Sequence, residues 1–371
     1  MKSMQSFDKQ FNISAIQIIF ILLICRYQSF MISIDLRKAL EINNSNVFIS
    51  MIISLFISFL ILIPAFILIK KFKYKNIIDI SIKTFPKLGN IISIIFSIYF
   101  LLVAMAHIAN TDFFMISYIY LDSSPFLIIG IILVALYAVY LGPESIFRSG
   151  TIIFVLFFIL NAIVFIFLIP VKNTHYLGPF VLSDINSILD KASLFSFSAE
   201  VVAILILTEY SKQKTFFSYS IFQVIIFIME FLVLLMLTLS MGRYSNTNMF
   251  PLYTVSSMIE IPILARLESF YIVLDTMLSV IKTSIYLFLS CKCLNNLILT
   301  KKSQTILAGF FGLICLIASL VMIYNIKILS NLLAFINSPI VILALVFITP
   351  LILLIANKIK ARPGLKKLAK I

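Results

Sequence analysis

The chain alternates between long apolar runs and short polar segments. An α-helix needs about 20 residues to cross a ~30 Å hydrocarbon layer, and runs of about this length predict a bundle of ten membrane-spanning helices. The predicted spans cover residues 14–34, 47–69, 91–118, 125–141, 149–170, 191–208, 215–241, 263–290, 305–325 and 337–356. A β-barrel is excluded because its strands alternate polar and apolar residues, whereas residues 152–169 read IIFVLFFILNAIVFIFLI.

Composition indicates that lipid surrounds most of the chain. Hydrophobic residues make up 62% of the sequence and charged residues 12%, against about a quarter charged in soluble domains. The sequence therefore predicts one all-α transmembrane domain over residues 1–371. The net charge of +14 does not indicate binding to nucleic acid, because the basic residues form short clusters beside the apolar runs.

The distribution of Lys and Arg predicts the orientation in the membrane. With a cytoplasmic N-terminus, twenty of the 29 basic residues fall in inner segments and six in outer segments. An excess of this size on one side sets the topology. Both termini, including a basic tail at 357–371, are therefore predicted to be cytoplasmic.

Ten spans divide into two sets of five, a first repeat at about 14–170 and a second at about 191–356. The first span of each set has a polar patch near its middle, Cys25–Ser29 in span one and Ser196–Glu200 in span six. Transporters built from inverted repeats place broken helices at such corresponding positions, with the ligand between them. The alternative is that both patches are continuous helix facing protein neighbours.

Span eight carries a polar stripe. Glu268, Asp275 and Lys282 recur every seven residues and so lie close to one line along the helix. A stripe of this kind faces the bundle interior, because charged groups in lipid are costly unless paired. Asp275 lies too deep in the span to reach the membrane surface, so the stripe predicts that it has a cationic partner. The alternative for Lys282 is that its ammonium group extends toward the cytoplasmic surface.

Other polar residues carry weaker signals. His107 and Asp112 lie late in span three, where a hydrogen-bonded packing role is favoured, and the pattern assigns no partner to Glu230. Glu144 and Arg148 stand at i and i+4 with the acid first, which favours a helix-surface ion pair. The sequence shows no nucleophile–base pair, phosphate-binding loop or metal-ligand spacing, so it predicts no enzyme, cofactor or metal site.

Several stretches resemble the permease-like B subunit of bacterial spore germinant receptors. They are Ile13-Ser14-Ala15-Ile16-Gln17, the basic link from Lys70-Lys71-Phe72 through Phe85-Pro86-Lys87-Leu88-Gly89 to Ile98-Tyr99-Phe100, the turn Gly142-Pro143-Glu144-Ser145-Ile146-Phe147-Arg148, and Phe250-Pro251-Leu252-Tyr253 followed by Ala265-Arg266-Leu267-Glu268. The resemblance covers nearly the whole chain. It implies a LeuT-type fold of the amino acid–polyamine–organocation superfamily, in which span eight packs against span one. This packing predicts a buried Arg26–Asp275 pair, with Glu200 as the second choice of partner for Arg26.

The resemblance also implies a role in the inner spore membrane. There the B subunit is part of a three-part receptor, beside a larger A subunit and a lipoprotein C subunit, and recognises a small germinant, often an amino acid. One departure is that the family usually has glycines in the middle of span one, where this chain reads Arg26-Tyr27-Gln28-Ser29-Phe30-Met31. Glycines would let backbone atoms meet a ligand, so their absence favours a narrower pocket, a different ligand or a subunit without a ligand.

The candidate functional residues form two groups. The candidate ligand-binding residues are Arg26, Tyr27, Gln28, Ser29, Tyr99, Ser196, Ser198, Glu200, Asp275, Ser279 and Lys282, in a pocket predicted between spans one, three, six and eight. The candidate structural residues are Gly142, Glu144, Arg148, Phe250, Pro251, Tyr253, Arg266 and Glu268. Three functions remain open: a germinant-sensing subunit, a secondary transporter that moves an amino acid with H⁺ or Na⁺, and a scaffold that only positions partner subunits.

Overall fold

The structure of the chain is a computed structural model. It describes residues 13–31, 44–118, 125–177, 185–211, 215–246, 248, 250–257, 267–295, 297 and 301–360. Within these ranges the chain is helical, with turns and no strand. The predicted all-α membrane fold is confirmed.

Ten helical spans are present among the described residues. They are Ala15–Met31, Asn44–Lys71, Pro86–Tyr118, Pro125–Leu141, Pro143–Leu168, the broken helix from Ile185 to Ser211, Thr215–Met241, Leu267–Cys293, Lys301–Tyr324 and the broken helix from Ile326 to Lys360. Eight of the ten are long and apolar enough to cross a membrane, and the shorter apolar helices belong to spans one and four. The helices fit an integral membrane protein.

Proline begins several of these helices. Pro86, Pro125 and Pro143 occupy the first residue of spans three, four and five, a position where the missing N–H leaves no hydrogen bond unmade. Gly142 precedes Pro143 with a φ of 101°. A side chain at position 142 would meet no neighbouring atom, so the backbone angle, not space, selects glycine there.

A short helix, Ile77–Thr84, connects spans two and three. Asn76 caps it by accepting a hydrogen bond of 2.7 Å from the Asp79 amide. It packs closely on the start of span three, where a Cβ atom on Gly89 would lie 2.5 Å from the Ile82 backbone. This connecting helix is therefore fixed against the bundle.

Spans one and eight form the centre of the bundle. Span eight packs against spans one, three, four and five, while span one also contacts spans six and seven. Most outward faces are apolar, as in span two, whose exposed stripe is Ile52, Phe56, Leu60, Ile63 and Ile67. Polar side chains are concentrated between spans, where lipid cannot reach them.

Span ten differs from the prediction. It begins at Ile326, eleven residues before the predicted start, and is interrupted at Asn337–Ser338. A π-helical turn at Ala344–Ile348 follows, and the Thr349 hydroxyl donates a hydrogen bond of 2.8 Å to the carbonyl of Ala344. Polar residues interrupt the helix inside the span, although the sequence pattern placed them at its beginning. The final helix continues to Lys360, so the first residues of the predicted tail are helical.

Candidate functional site

The polar patch of span one is distributed around the helix. Successive residues of an α-helix are rotated by about 100°, so neighbours within Cys25–Ser29 face different spans. Arg26 reaches spans six and seven, and Gln28 reaches span eight. The Tyr27 hydroxyl donates a hydrogen bond of 2.8 Å to Asn161 Oδ1 in span five.

Span six is broken, as the sequence predicts. Its N-terminal half is Ile185–Ser196 and its C-terminal half is Ala199–Ser211, separated by the non-helical Phe197 and Ser198. Glu200 lies in the first turn of the C-terminal half. The positive end of the helix dipole stabilises a carboxylate at that position.

Span one is not broken in the same way. Its helix is continuous over Ala15–Met31, so the predicted break at the patch is wrong for the described residues. The polar side chains of the patch reach neighbouring spans without an interruption of the helix. The proposed division into repeats at 14–170 and 191–356 remains a prediction.

Arg26 is paired with Glu230 of span seven. Its Nε donates a hydrogen bond of 2.7 Å to Glu230 Oε1, and its Nη2 donates one of 3.1 Å to the carbonyl of Phe195. The side chains of Arg26 and Glu230 are 11% and 5% exposed. The predicted Arg26–Asp275 pair is wrong, because Arg26 lies on the face of span one that is turned to spans six and seven. Glu230, to which the sequence pattern assigned no partner, completes the pair.

A polar cavity adjoins this ion pair at the break in span six. Its volume is about 20 Å³, enough for one or two water molecules. Its polar lining consists of Arg26, Ser54, Ser196, Ser198, Gln223 and Glu230, and Phe195, Phe222 and Phe227 are among its apolar residues. The cavity lies between spans one, two, six and seven, and not between spans one, three, six and eight.

Most of the remaining ligand-binding candidates lie on another side of span one, toward span eight. Lys282 Nζ donates a hydrogen bond of 2.8 Å to the carbonyl of Cys25 and another to the Ser29 hydroxyl. Only 2% of Lys282 is exposed. The ammonium group therefore does not extend toward the membrane surface; it links spans one and eight inside the bundle.

Asp275 binds span one through Gln28. Gln28 Nε2 donates to the carbonyl of Asp275 at 3.2 Å and to its Oδ1 at 3.4 Å. Asp275 Oδ2 and Gln28 Oε1 are buried and accept no hydrogen bond from any described residue. Span eight thus packs on span one as predicted, but through the Gln28 amide and the Lys282 ammonium group and not through Arg26.

Glu200 also faces span eight. It accepts a hydrogen bond of 2.9 Å from the Tyr286 hydroxyl at Oε1, while its buried Oε2 has no hydrogen-bond partner in the described part of the chain. Lys282 and Arg26 are both within electrostatic range of this carboxylate. A buried polar atom without a hydrogen bond costs free energy, and such atoms in native structures often have a functional role.

Span three completes the interior. The Tyr99 hydroxyl donates a hydrogen bond of 3.3 Å to the carbonyl of Ile336, at the break in span ten. Ser279 is hydrogen-bonded to His107 Nε2 at 3.1 Å and to the Thr111 hydroxyl at 3.1 Å. His107 thus has the packing contact that the sequence favours for it.

The structure contains a second polar cluster, which the sequence pattern does not predict. Lys292 at the end of span eight forms an ion pair with Glu209 of span six and donates a hydrogen bond of 2.5 Å to the Tyr210 hydroxyl. Glu209 also accepts a bond of 2.5 Å from Asn76, the cap of the connecting helix. The only sequence signal was an acid and a base at the ends of two spans, which does not reveal that those ends meet.

The described structural candidates lie at or near the beginnings of helices. Glu144 and Arg148 form the predicted i,i+4 ion pair, with Arg148 66% exposed. Pro251 begins a short helix, Pro251–Ser257, and the rings of Phe250 and Tyr253 lie against Phe114 with centroids 4.9 and 5.6 Å away. The sequence Phe250–Tyr253 therefore packs on the end of span three.

Two structural candidates cannot be placed by their side chains. Arg266 lies outside the described residues, and for Glu268 the description extends to its helical backbone only.

The four cysteines are buried and form no disulfide. Among the described residues, no three His, Cys, Asp or Glu side chains are grouped closely enough to hold a metal ion.

The fold is similar to that of a known transporter. A Na⁺-coupled sialic acid symporter, solved in a substrate-bound, outward-open state, superposes with a TM-score of 0.59. The alignment covers 91% of this chain and 79% of the symporter, at 14% sequence identity. At this identity the match establishes the fold alone, which is that of a LeuT-like transporter.

Sequence comparison gives the family. No curated protein matches the sequence at a significant level. The family model described as spore germination protein, the spore permease family, matches residues 12–327, which is most of the 371-residue chain. The match includes the broken span six, the Arg26–Glu230 pair and all of span eight. The chain belongs to the spore permease family of spore germination proteins.

Proposed function

We propose that this chain is the permease-like subunit of a spore germinant receptor, and that it senses a small germinant inside its transporter-like bundle. The ligand class is an amino acid or a similar metabolite. The observation that carries the proposal is the buried Arg26–Glu230 pair, which faces a polar cavity at the break in span six. A buried ion pair beside a helix break is a costly arrangement that a ligand site would explain.

The chemistry of the cavity suits a zwitterion. The Arg26 guanidinium has five N–H donors, of which two are used by Glu230 and the Phe195 carbonyl. The remaining donors are suited to a carboxylate, while Glu230 provides a counter-charge for an ammonium group. The hydroxyl groups of Ser196 and Ser198 line the same cavity.

Sensing requires two arrangements of the bundle. A cavity of about 20 Å³ holds water but no amino acid, so a germinant would stabilise a more open arrangement and shift the population toward it. The C-terminal half of span six runs from the cavity to the Glu209–Lys292 pair. Displacement of this short helix would alter the contact between Glu209 and Asn76 on the connecting helix.

The contact between spans one and eight favours sensing over sodium-driven transport. A main-chain carbonyl and a hydroxyl oxygen are ligands that a hard cation such as Na⁺ also takes. Here the Lys282 ammonium group, a permanent part of the chain, binds the Cys25 carbonyl and the Ser29 hydroxyl. Because this ammonium group is fixed to the chain, a Na⁺ cannot bind and leave at this position.

Two other functions are the alternatives. Proton-coupled amino-acid transport is favoured by Glu200 and Asp275, since carboxylates inside a membrane bundle commonly relay protons, and each has an oxygen without a hydrogen-bond partner among the described residues. A scaffold without a ligand is favoured by the glycine-free centre of span one.

We further propose A-type and lipoprotein C-type receptor subunits as partners, in the inner spore membrane.

An exchange of this subunit alone tests the function. The gene for this chain replaces its counterpart in a receptor of known germinant specificity, with the other subunits unchanged. We expect the germinant response of the spores to follow the exchanged chain and to be lost in Arg26→Met. An unchanged specificity would indicate a scaffold, and gradient-driven uptake of a labelled amino acid by the purified chain in proteoliposomes would indicate a transporter.

The proposed topology gives a separate prediction. Because inner segments carry most of the Lys and Arg residues, cysteines introduced as Lys73→Cys and Asn246→Cys should react with impermeant reagents from opposite sides of the membrane. The four native cysteines are buried and can be replaced by alanine as background. Reaction of both positions from one side would contradict two cytoplasmic termini.

A further inference from the structure

The N-terminal half of span ten exposes a polar face. Leu329 and Ile336 are buried against the bundle, at 0% and 3% exposure. The exposed residues on the opposite face are Lys327, Ser330, Asn331, Ala334 and Phe335, and Asn337 directly after the helix is also exposed. Their spacing of three and four places them on one side of the helix. Span two, by contrast, exposes only apolar side chains along its outward stripe.

This polar face descends to the middle of the membrane. The Ile336 carbonyl accepts its hydrogen bond from Tyr99, which lies about 18 Å along span three from Lys87 and about 20 Å from Asp112. Lys327 is about 15 Å along the helix from Asn337. The face therefore runs from a membrane surface at Lys327 to the hydrocarbon interior at Asn337.

Lipid is a poor environment for this surface. The Asn337 side chain has two N–H donors and a carbonyl acceptor, and it makes no hydrogen bond to the part of the chain that the structure describes. The helix is also interrupted at Asn337–Ser338. Irregular backbone inside the hydrocarbon layer is tolerated where protein or water covers it, and not where lipid does.

We propose that the exposed face of Ile326–Ile336, together with Asn337, docks a membrane-spanning helix of another protein chain. Ser330 and Ala334 have small side chains, which let two helix backbones approach closely. The docked helix presents a hydroxyl or amide side chain at the depth of Asn337. Near the membrane surface, about ten residues away along that helix, it presents Asp or Glu to Lys327.

Repulsion between like charges makes another protein chain a better partner for this face than a second copy of this chain. Two copies in one membrane share an orientation, so a two-fold axis along the membrane normal would pair Asn337 with Asn337. The same axis would bring the two Lys327 ammonium groups toward each other, which opposes association. An acidic residue on a different chain removes this repulsion. The proposal concerns the outside of the bundle and holds whether or not the cavity at Arg26 binds a germinant.

Site-specific photo-crosslinking in the native membrane tests the docking. A benzophenone amino acid replaces Ala334 in the full chain, and a matched probe replaces Ile159, which is 51% exposed on span five. We expect position 334 to form an adduct with a membrane helix of another chain that has the stated acidic and polar residues. Position 159 should react with lipid only.

Two variants complete the test. Asn337→Leu should lower the yield of the protein adduct about threefold, the average size of the effect of an interhelical hydrogen bond in a membrane. Lys327→Glu should also lower it, and exchange of the partner acid for Lys should restore it. Lipid adducts alone at position 334, an adduct with a second copy, or failure of the charge exchange to restore the yield would each overturn the proposal.

Discussion

Glu230→Gln is expected to destabilise the purified protein by about 3–5 kcal/mol, because it leaves the Arg26 guanidinium buried without its counter-charge. The two side chains are 2.7 Å apart at their closest atoms and almost fully enclosed. Arg26→Met should have an effect of similar size, since it leaves the Glu230 carboxylate uncompensated. Thermal unfolding in a fixed detergent measures both variants, and germination of the corresponding spores measures their function.

The double variant separates stability from sensing. Arg26→Met combined with Glu230→Met replaces the pair by apolar side chains of similar volume, which is often neutral for stability. We expect its thermal stability to exceed that of either single variant, while the germinant response stays absent. The exposed Glu144–Arg148 pair is the matched control, and Glu144→Gln should cost at most about 1 kcal/mol. Simple addition of the two single effects would contradict the coupling.

Most of the bundle was predictable because each span leaves a local signal. The predicted spans 125–141 and 215–241 agree with the structure at both ends. In the first case Pro125 begins the helix and Gly142 ends it, and in the second the apolar run itself begins and ends abruptly. The break in span six was also predictable, because Ser196–Glu200 interrupts an apolar run with residues that prefer helix ends.

Span ten shows where local signals fail. Asn337, Ser338 and Pro339 form a strong helix-start signal, and the structure does have a helix that begins there. The signal does not say at what depth it acts. A break inside a span and a loop outside the membrane have the same local sequence, and only the contact between Tyr99 and the Ile336 carbonyl distinguishes them.

The charge pairing inside the bundle was predictable only in part. Sequence periodicity gives the face and depth of a side chain, and it correctly placed Asp275 and Lys282 toward the interior. It does not say which helix lies opposite a given face. Arg26 and Lys282 approach different sides of span one because Arg26 is rotated by about 100° from Cys25. Glu230, 204 residues from Arg26, could be assigned only after the helices were placed.

Lys282→Met is expected to have the second large effect. Methionine keeps most of the volume of the side chain but removes the ammonium group that binds the Cys25 carbonyl and the Ser29 hydroxyl. It also removes a positive charge that acts on the Glu200 and Asp275 carboxylates. We expect a loss of about 3 kcal/mol or more, the size typical of an uncompensated buried charge, and loss of the germinant response.

Removal of the opposing charge should reverse part of this loss. Among the carboxylates near Lys282, Glu200 acts most strongly on it, so Lys282→Met with Glu200→Gln should unfold at a higher temperature than Lys282→Met alone. A general packing defect at position 282 would not respond to a change at position 200. Lys172→Met, at an exposed lysine, is the matched control and should leave the unfolding temperature unchanged. Unaltered stability of Lys282→Met, or no recovery in the double variant, would show that the ammonium group does not hold spans one and eight together.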